Sequence, residues 1–389
     1  MENKNLEEKL FCSLIMGKKI LSGNQIRHLI DEKKIDSIDS LYQSNEEIFT
    51  EELLSPEQYE RWLEYKKSPT YDRFGEYVEY VERRNIQAVS IYDEDYPSCL
   101  KPYPNMPLIL YLRGNADLLT GSKSKVSIVG TRQPSAYGRR VTREFSKSLA
   151  LRDVVIVSGL ARGVDGIAHQ ACLDAGGQTI AVMPCGLDTV YPGEHLNLFQ
   201  EIEQKGLLIS ELMPGTKAIR QYFPARNRIL SALSDCVLIT EAGQNSGTLH
   251  TASFAAAQGK EVFVVPGTIY SDTSKGNLGL MKDGAQIASE PEDILAHLAG
   301  AVFFREIEEI KEEWRMHLLK EKIENHPDDL TKEEIRFVIL DLLVAQGLNT
   351  DEIVRESGLP VESVSSELGK LELEGKITNE NEKYILTIR

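Results

Sequence analysis

Residues 125–170, KVSIVGTRQPSAYGRRVTREFSKSLALRDVVIVSGLARGVDGIAHQ, decide the fold. Two short β-branched runs, KVSIVG at 125–130 and VVIVSG at 154–159, enclose a stretch with apolar residues at helical spacing. A strand with one wet face alternates polar and apolar residues, whereas a strand covered on both faces is apolar throughout. Both runs are of the second kind, so the unit reads as a strand–helix–strand crossover within a parallel sheet. The alternation continues downstream. QTIAVMP (178–184), LLISE (207–211), CVLIT (236–240) and EVFVV (261–265) are strand-like. The helix-patterned stretches are VDGIAHQACLDAG (164–176), GEHLNLFQEIEQKG (193–206), ARNRILSALS (225–234) and GTLHTASFAAAQGK (247–260). This pattern predicts a Rossmann-like, doubly wound α/β core over 111–299, with ligands placed beyond the C-terminal ends of its strands.

Upstream, residues 1–110 read as a helical domain with a connector. LEEKLFCSLIMG and NQIRHLIDEK carry helical periodicity, Ser55-Pro56 supplies a cap and a first helical position, and SPTYDRFGEYVEYVERRN is amphipathic. The proline-rich YPSCLKPYPNMPLILYLRGN then leads into a strand, LILYLRG. Downstream, 300–329 read as a charged linker helix. Residues 330–389 read as three helices, the second capped at Thr350, followed by a hairpin, which is the plan of a winged helix.

The chain has 389 residues and a net charge of −16. That balance argues against nucleic acid until it is resolved regionally. Residues 113–162 hold ten Lys or Arg against three acids. Screening limits the reach of distant acids, so a basic field can persist on an acidic protein. No apolar run approaches a membrane span, and the charged N-terminus is no secretory signal. Five widely spaced cysteines without a C-x-x-C pair point to neither zinc nor disulfides, and to a cytoplasmic setting.

The strand ends carry the candidate chemistry. Gly130, Thr131 and Arg132 follow the first core strand, and Arg139 lies on the helix after them. Ser158, Gly159, Arg162 and Gly163 follow the second. Glycines let backbone approach a phosphate, helix N-termini offer free N–H groups, and guanidinium forks onto phosphate oxygens. Arg226, Asn227 and Arg228 open a later helix. Cations are disfavoured there unless an anion lies between them, or unless they pair with Glu211 or Glu241. Ser246, Gly247 and Thr248 open another. Asp165 and His169, four apart, read either as an acid–base pair or as a cap and a structural histidine. A dinucleotide site is disfavoured, because one glycine stands where G-x-G-x-x-G is needed and no acid follows the second strand. No Walker motif, H-E-x-x-H or G-x-S-x-G occurs.

In order along the chain, SIVGTRQPSAYG, VVIVSGLARGVDGIAHQACLDAGGQTIAVMPCGLDTVYP, LLISELMPGT, YFPARNRILSALSDCVLITEAGQNSGTLHTASFAAAQGKEVFVVPGTI and GNLGLMKDGAQI resemble the DNA-processing protein A family (DprA, or Smf). The resemblance spans about residues 92–296. It implies an extended Rossmann-like domain that binds single-stranded DNA without cutting it, with no catalytic residue, cofactor or metal. It also implies a homodimer that hands DNA to the RecA recombinase in natural transformation or recombination. The strand-binding candidates it implies are Gly130, Thr131 and Arg132; Ser158, Gly159 and Arg162; Arg226, Asn227 and Arg228; and Ser246, Gly247 and Thr248.

The family's N-terminal part resembles a sterile-alpha-motif or helix–hairpin–helix module; here only KKILSGNQIRHL stands near such a hairpin, and it is poor in glycine. The winged helix's third helix, VESVSSELGKLELE, has four acids and one lysine, the wrong charge for a major groove, which implies a protein-contact or dimer role. The rival enzyme reading is a nucleotide-binding Rossmann protein related to nucleoside monophosphate phosphoribohydrolases. These carry P-G-G-x-G-T-x-x-E, and Thr251 stands where that glutamate is needed. A scaffold that uses its terminal domains for partners is the third reading.

Overall fold

The computed structural model describes residues 5–32, 35, 37–43, 48–50, 53–300, 330–345, 347–374, 376–380 and 383–386. Met1–Leu298 and Ala299–Arg389 form two compact units.

The first unit is built on a nine-stranded sheet. Its strands are β1 (Gln87–Ser90), β2 (Ile109–Gly114), β3 (Lys125–Val129), β4 (Val155–Ser158), β5 (Thr179–Val182), β6 (Leu207–Ser210), β7 (Cys236–Ile239), β8 (Glu261–Val264) and β9 (Gln286–Ile287). Their spatial order is β1-β2-β6-β5-β4-β3-β7-β8-β9. All six strand-like runs of the core are strands, and the pairs from β6 across to β9 are parallel. The doubly wound, Rossmann-like core is therefore as the sequence pattern requires.

Continuous apolar character has the expected cause. Val126 and Ile128 of β3 pack with Val141, Phe145 and Leu149 on one side of the sheet. Val129, on the other side, packs with Ile229, Leu230 and Ala252. Ser127 is the polar exception; its hydroxyl donates to the Leu230 carbonyl at 2.9 Å, so it is buried without an unmet hydrogen bond.

Two features lie outside the sequence reading. Strand β1 is only four residues, too short to declare a period. It and β2 are antiparallel to their neighbours, so the sheet is mixed at that edge. The N-terminal helices pack directly on this edge. Leu10, Phe11 and Ile15 of the helix Leu6–Gly17 share a core with Ile109, Tyr111 and Leu208. The Tyr111 hydroxyl reaches Ser13 Oγ at 2.6 Å, and Lys9 pairs with Asp93 at 2.6 Å. Ser55 caps the helix Pro56–Lys66, accepting from the Gln58 amide while the Gln58 side chain accepts from the Ser55 amide.

The second unit has helices Lys332–Ala345, Thr350–Ser357 and Val361–Leu373 and a hairpin of β10 (Ile377–Glu380) and β11 (Lys383–Leu386). Asn349, not Thr350, caps the middle helix: its Oδ1 accepts the Glu352 amide at 2.8 Å, and Thr350 is the first helical residue. Glu367, one of the acids of the third helix, is buried and bound by Arg336 and Lys370. The charged helix expected at 303–325 lies outside the described residues. No helix among the described residues is long and apolar enough to cross a membrane.

Candidate functional site

From β3 the chain winds outward through β4, β5 and β6, then returns to place β7 on the other side of β3. Loops after adjacent strands diverge at such a reversal and leave a crevice at the carboxyl ends. A cleft of about 360 Å³ lies there. Gly130, Thr131 and Arg132 line it from β3; Arg226 and Asn227 from the helix Tyr222–Leu233; Ser246, Gly247 and Thr248 from beyond β7. Three of the four sequence-predicted groups therefore meet in one cavity. Phe223, His250, Thr251 and Asp165 complete it.

Arg132 is exposed, makes no ion pair among the described residues, and holds its guanidinium 5.0 Å from the Phe223 ring centroid. Phe223 in turn meets Tyr191 edge-on, with centroids 5.3 Å apart. A cation held over an aromatic face stays partly desolvated yet available to an anion. The ring offers a surface on which a planar group can stack. Phe223 was not among the candidates, since the loop motif drew attention to its arginines. The signal for it was an aromatic residue immediately before Pro224 at a helix start.

Arg226 is 4 % exposed. It donates to the Val182 carbonyl and, through Nε, to Asn227 Oδ1 at 3.2 Å. Burial lowers its pKa to about 10, with Asp165 opposing that shift. Burial also raises the Asp165 carboxyl above its usual range, although Arg226 and the backbone amides at Ala161 and Gly159 pull it down. Arg226 is thus a buried charge in the cleft lining.

The glycines do not all serve phosphate approach. A Cβ on Gly130 would meet Val164 Cγ2 at 2.6 Å, one on Gly159 the Arg226 guanidinium at 2.2 Å, and one on Gly163 the Thr131 carbonyl oxygen at 2.5 Å. Gly163 also has φ +77°, which favours glycine. These three make room for protein atoms. Gly247 alone of the candidate glycines has nothing within 4 Å. The helix it precedes, Thr248–Ala257, has its first amides met from the loop itself: Thr248 N–H donates to Ser246 Oγ at 3.3 Å, Leu249 N–H to the Ser246 carbonyl at 3.1 Å and His250 N–H to the Gly247 carbonyl at 3.3 Å.

Other candidates fall elsewhere. Ser158 is fully buried and donates to the Ile128 carbonyl at 2.6 Å. Arg228 is clamped by Glu211, with bonds of 2.8 and 2.6 Å, so the ion-pair alternative holds for it. Arg162 is exposed and doubly bonded to Glu194. Arg139 lies in a neighbouring groove, its Nε donating to the Pro134 carbonyl at 3.2 Å.

The amino end of the helix Ala136–Ala150, read from sequence as an anion seat, is already filled. Ser135 Oγ accepts the Gly138 amide at 3.1 Å, and the buried Glu241 carboxylate accepts the Ser135 amide at 2.7 Å. The protein supplies its own anion there.

Asp165 and His169 are not an acid–base pair. His169 Nε2 accepts the Leu160 amide at 3.3 Å, and Nδ1 meets Thr179 Oγ1 at 2.6 Å. Thr179 in turn donates to the Ile156 carbonyl, so Nδ1 carries the proton. Burial lowers the His169 pKa to about 3, leaving it neutral. Leu160, with φ 52°, is held in the left-handed region by this bond and by His195, whose Nδ1 lies 3.0 Å from the Leu160 carbonyl oxygen.

The sequence profile of the family described as DNA recombination-mediator protein A matches residues 87–299, and that of the DprA winged helix domain matches residues 324–381. The DNA processing protein DprA of Bacillus subtilis (strain 168) is 39 % identical over 215 residues, 55 % of this chain and 72 % of the relative. Protein Smf of Escherichia coli (strain K12) is 36 % identical over 302 residues, 77 % and 76 % of the two chains. The X-ray structure of DNA processing protein A from Streptococcus pneumoniae superposes with a TM-score of 0.53 at 35 % identity, covering 59 % of this chain and 83 % of that one. DNA processing protein A from Helicobacter pylori, described for its single-stranded DNA binding mode, gives 0.51 at 34 % identity, covering 55 % and 97 %. A family model over more than half of the chain, with relatives of 36–39 % identity, settles the matter: the chain belongs to the DNA processing protein A (DprA/Smf) family.

Proposed function

We propose that this protein binds single-stranded DNA at the cleft between β3 and β7, without cutting it. It would act as a cytoplasmic homodimer that protects the strand and loads the RecA recombinase in transformation or recombination. The observation that carries the DNA reading is the juxtaposition of Arg132, Phe223 and the hydroxyl-bearing loop Ser246–Thr248 in one cleft. A flexible strand can use all three: a cation for phosphate, a ring for a base, and small hydroxyl side chains as donors to phosphate oxygens. Relatives named DNA processing protein A, one of them described for single-stranded DNA binding, support the reading. The hydrolytic alternative is poorly supplied: Asp165, the one carboxylate lining the cleft among the described residues, is buried within the field of Arg226, and Thr251 stands where the needed acid would be.

A salt-titrated binding assay with single- and double-stranded oligonucleotides tests the DNA reading. The expected result is preference for the single strand, with log affinity falling linearly with log salt. Salt-independent binding, or none, overturns it. RecA filament assembly on strands covered by a single-strand-binding protein tests the loading step; no acceleration by this protein overturns that part.

A further inference from the structure

A second depression adjoins the cleft. It is a groove of about 420 Å³, floored by Gly166, Ile167 and Ala171 of the helix Val164–Asp174. Arg139 and Arg143, one helical turn apart, form one wall, and Glu194 and His195 contribute to the other. Only the Ala161–Gly163 loop separates the two sites: Ala161 lines the cleft and Gly163 lines the groove. Gly163 packs against the backbone of Thr131 and Arg132, so the two depressions meet at that saddle.

Charge gives the groove a direction. This protein has more acids than bases, and Arg113, Arg152, Arg162 and Arg228 all have carboxylate partners. Arg132, Arg139, Arg140 and Arg143 are exposed and make no ion pair among the described residues. The acids of the groove are occupied: Glu194 by Arg162, and Asp174 by the Gln170 amide at 2.9 Å. The wall therefore presents guanidinium groups that neither acid of the groove lining pairs with. A series of such groups continuous with a phosphate site suits a polyanion longer than one nucleotide.

We infer that the groove is a second DNA subsite: a strand seated in the cleft continues over Arg162 and Gly163, and its next phosphates lie against Arg143 and Arg139. This rests on the single-strand reading of the cleft. A partner protein with an acidic segment would meet the same arginines, but the saddle's continuity with the cleft favours the strand.

The test uses the full chain, its Arg143→Glu variant and oligo-dT of two lengths, about 4 and about 16 nucleotides. Wild type is expected to bind the longer strand more tightly and with the steeper salt dependence. Arg143→Glu should lose roughly tenfold in affinity for the longer strand and about 0.7 of its salt slope, with the shorter strand unaffected. Equal binding of the longer strand by wild type and Arg143→Glu overturns the second subsite and leaves the cleft reading standing. An equal loss at both lengths overturns it too, by placing Arg143 in the cleft's own field. Failure of wild type to bind either length overturns the cleft reading itself, and the inference with it.

Discussion

The guanidinium of Arg226 lies directly on Gly159: a Cβ at residue 159 would fall 2.2 Å from Nη1. The loop after β4 and the helix after β6 are thereby locked together under the cleft. The Arg226 side chain is pinned by the Val182 carbonyl and lies near Asp165, so it cannot yield cheaply. Gly159→Ala should lower unfolding stability by about 1–3 kcal/mol, as overpacking of an interior does. The denaturant midpoint reads this; an unchanged midpoint would show that the guanidinium moves freely.

Arg132 and Arg228 should separate binding from stability. Arg132 is exposed and unpaired among the described residues, so Arg132→Ala should weaken single-strand binding roughly tenfold with little change in melting temperature. Arg228 and Glu211 are 16 % and 20 % exposed and doubly bonded. Arg228→Ala leaves a half-buried carboxylate unpartnered and should cost about 1–3 kcal/mol, with the smaller effect on DNA. Anisotropy and thermal melts on both variants check the contrast, and the reverse ranking refutes it.

Arg226 tests a different balance. Removing one partner from a buried charged group leaves the other uncompensated, so Arg226→Ala should destabilise by about 3–5 kcal/mol. Arg226→Ala/Asp165→Ala should recover part of that loss. A double-mutant cycle without coupling would detach Asp165 from Arg226.

His169 makes stability depend on pH. Its folded pKa is about 3, while an unfolded histidine titrates near about 6.5. The unfolded chain binds the extra proton in that window, so stability is full above it and falls as pH drops from about 6.5 toward 3. The raised Asp165 carboxyl has the opposite sign, its contribution being lost as pH rises through its folded value. Comparing urea midpoints of wild type and His169→Gln across this window isolates the histidine. The variant should show the shallower acid loss; parallel curves would place the proton elsewhere.

Much of the fold was legible because its strands are covered on both faces. Runs such as VVIVSG and CVLIT have no other soluble reading when helices separate them. Strand β1 was not legible, since QAVS carries no period and is fixed by pairing with β2. The loops of the site were found, but their residues were sorted less well. Gly159 and Gly163 were read as seats for phosphate and are seats for protein atoms. The structural reading of His169 was available from its place on an apolar helix, and its two bonds satisfy it.

The sequence by itself determined the α/β alternation, the family and the three arginine-bearing segments of the rim, because these depend on local periodicity and on residue order. Only the tertiary structure decided which charges are spent and which are available. Glu211 lies 17 residues from Arg228, Glu194 lies 32 from Arg162, and Glu241 lies 106 from the Ser135 amide it fills. A carboxylate neutralises whatever the chain brings within a few ångströms of it, and that distance is set by packing, not by position along the chain.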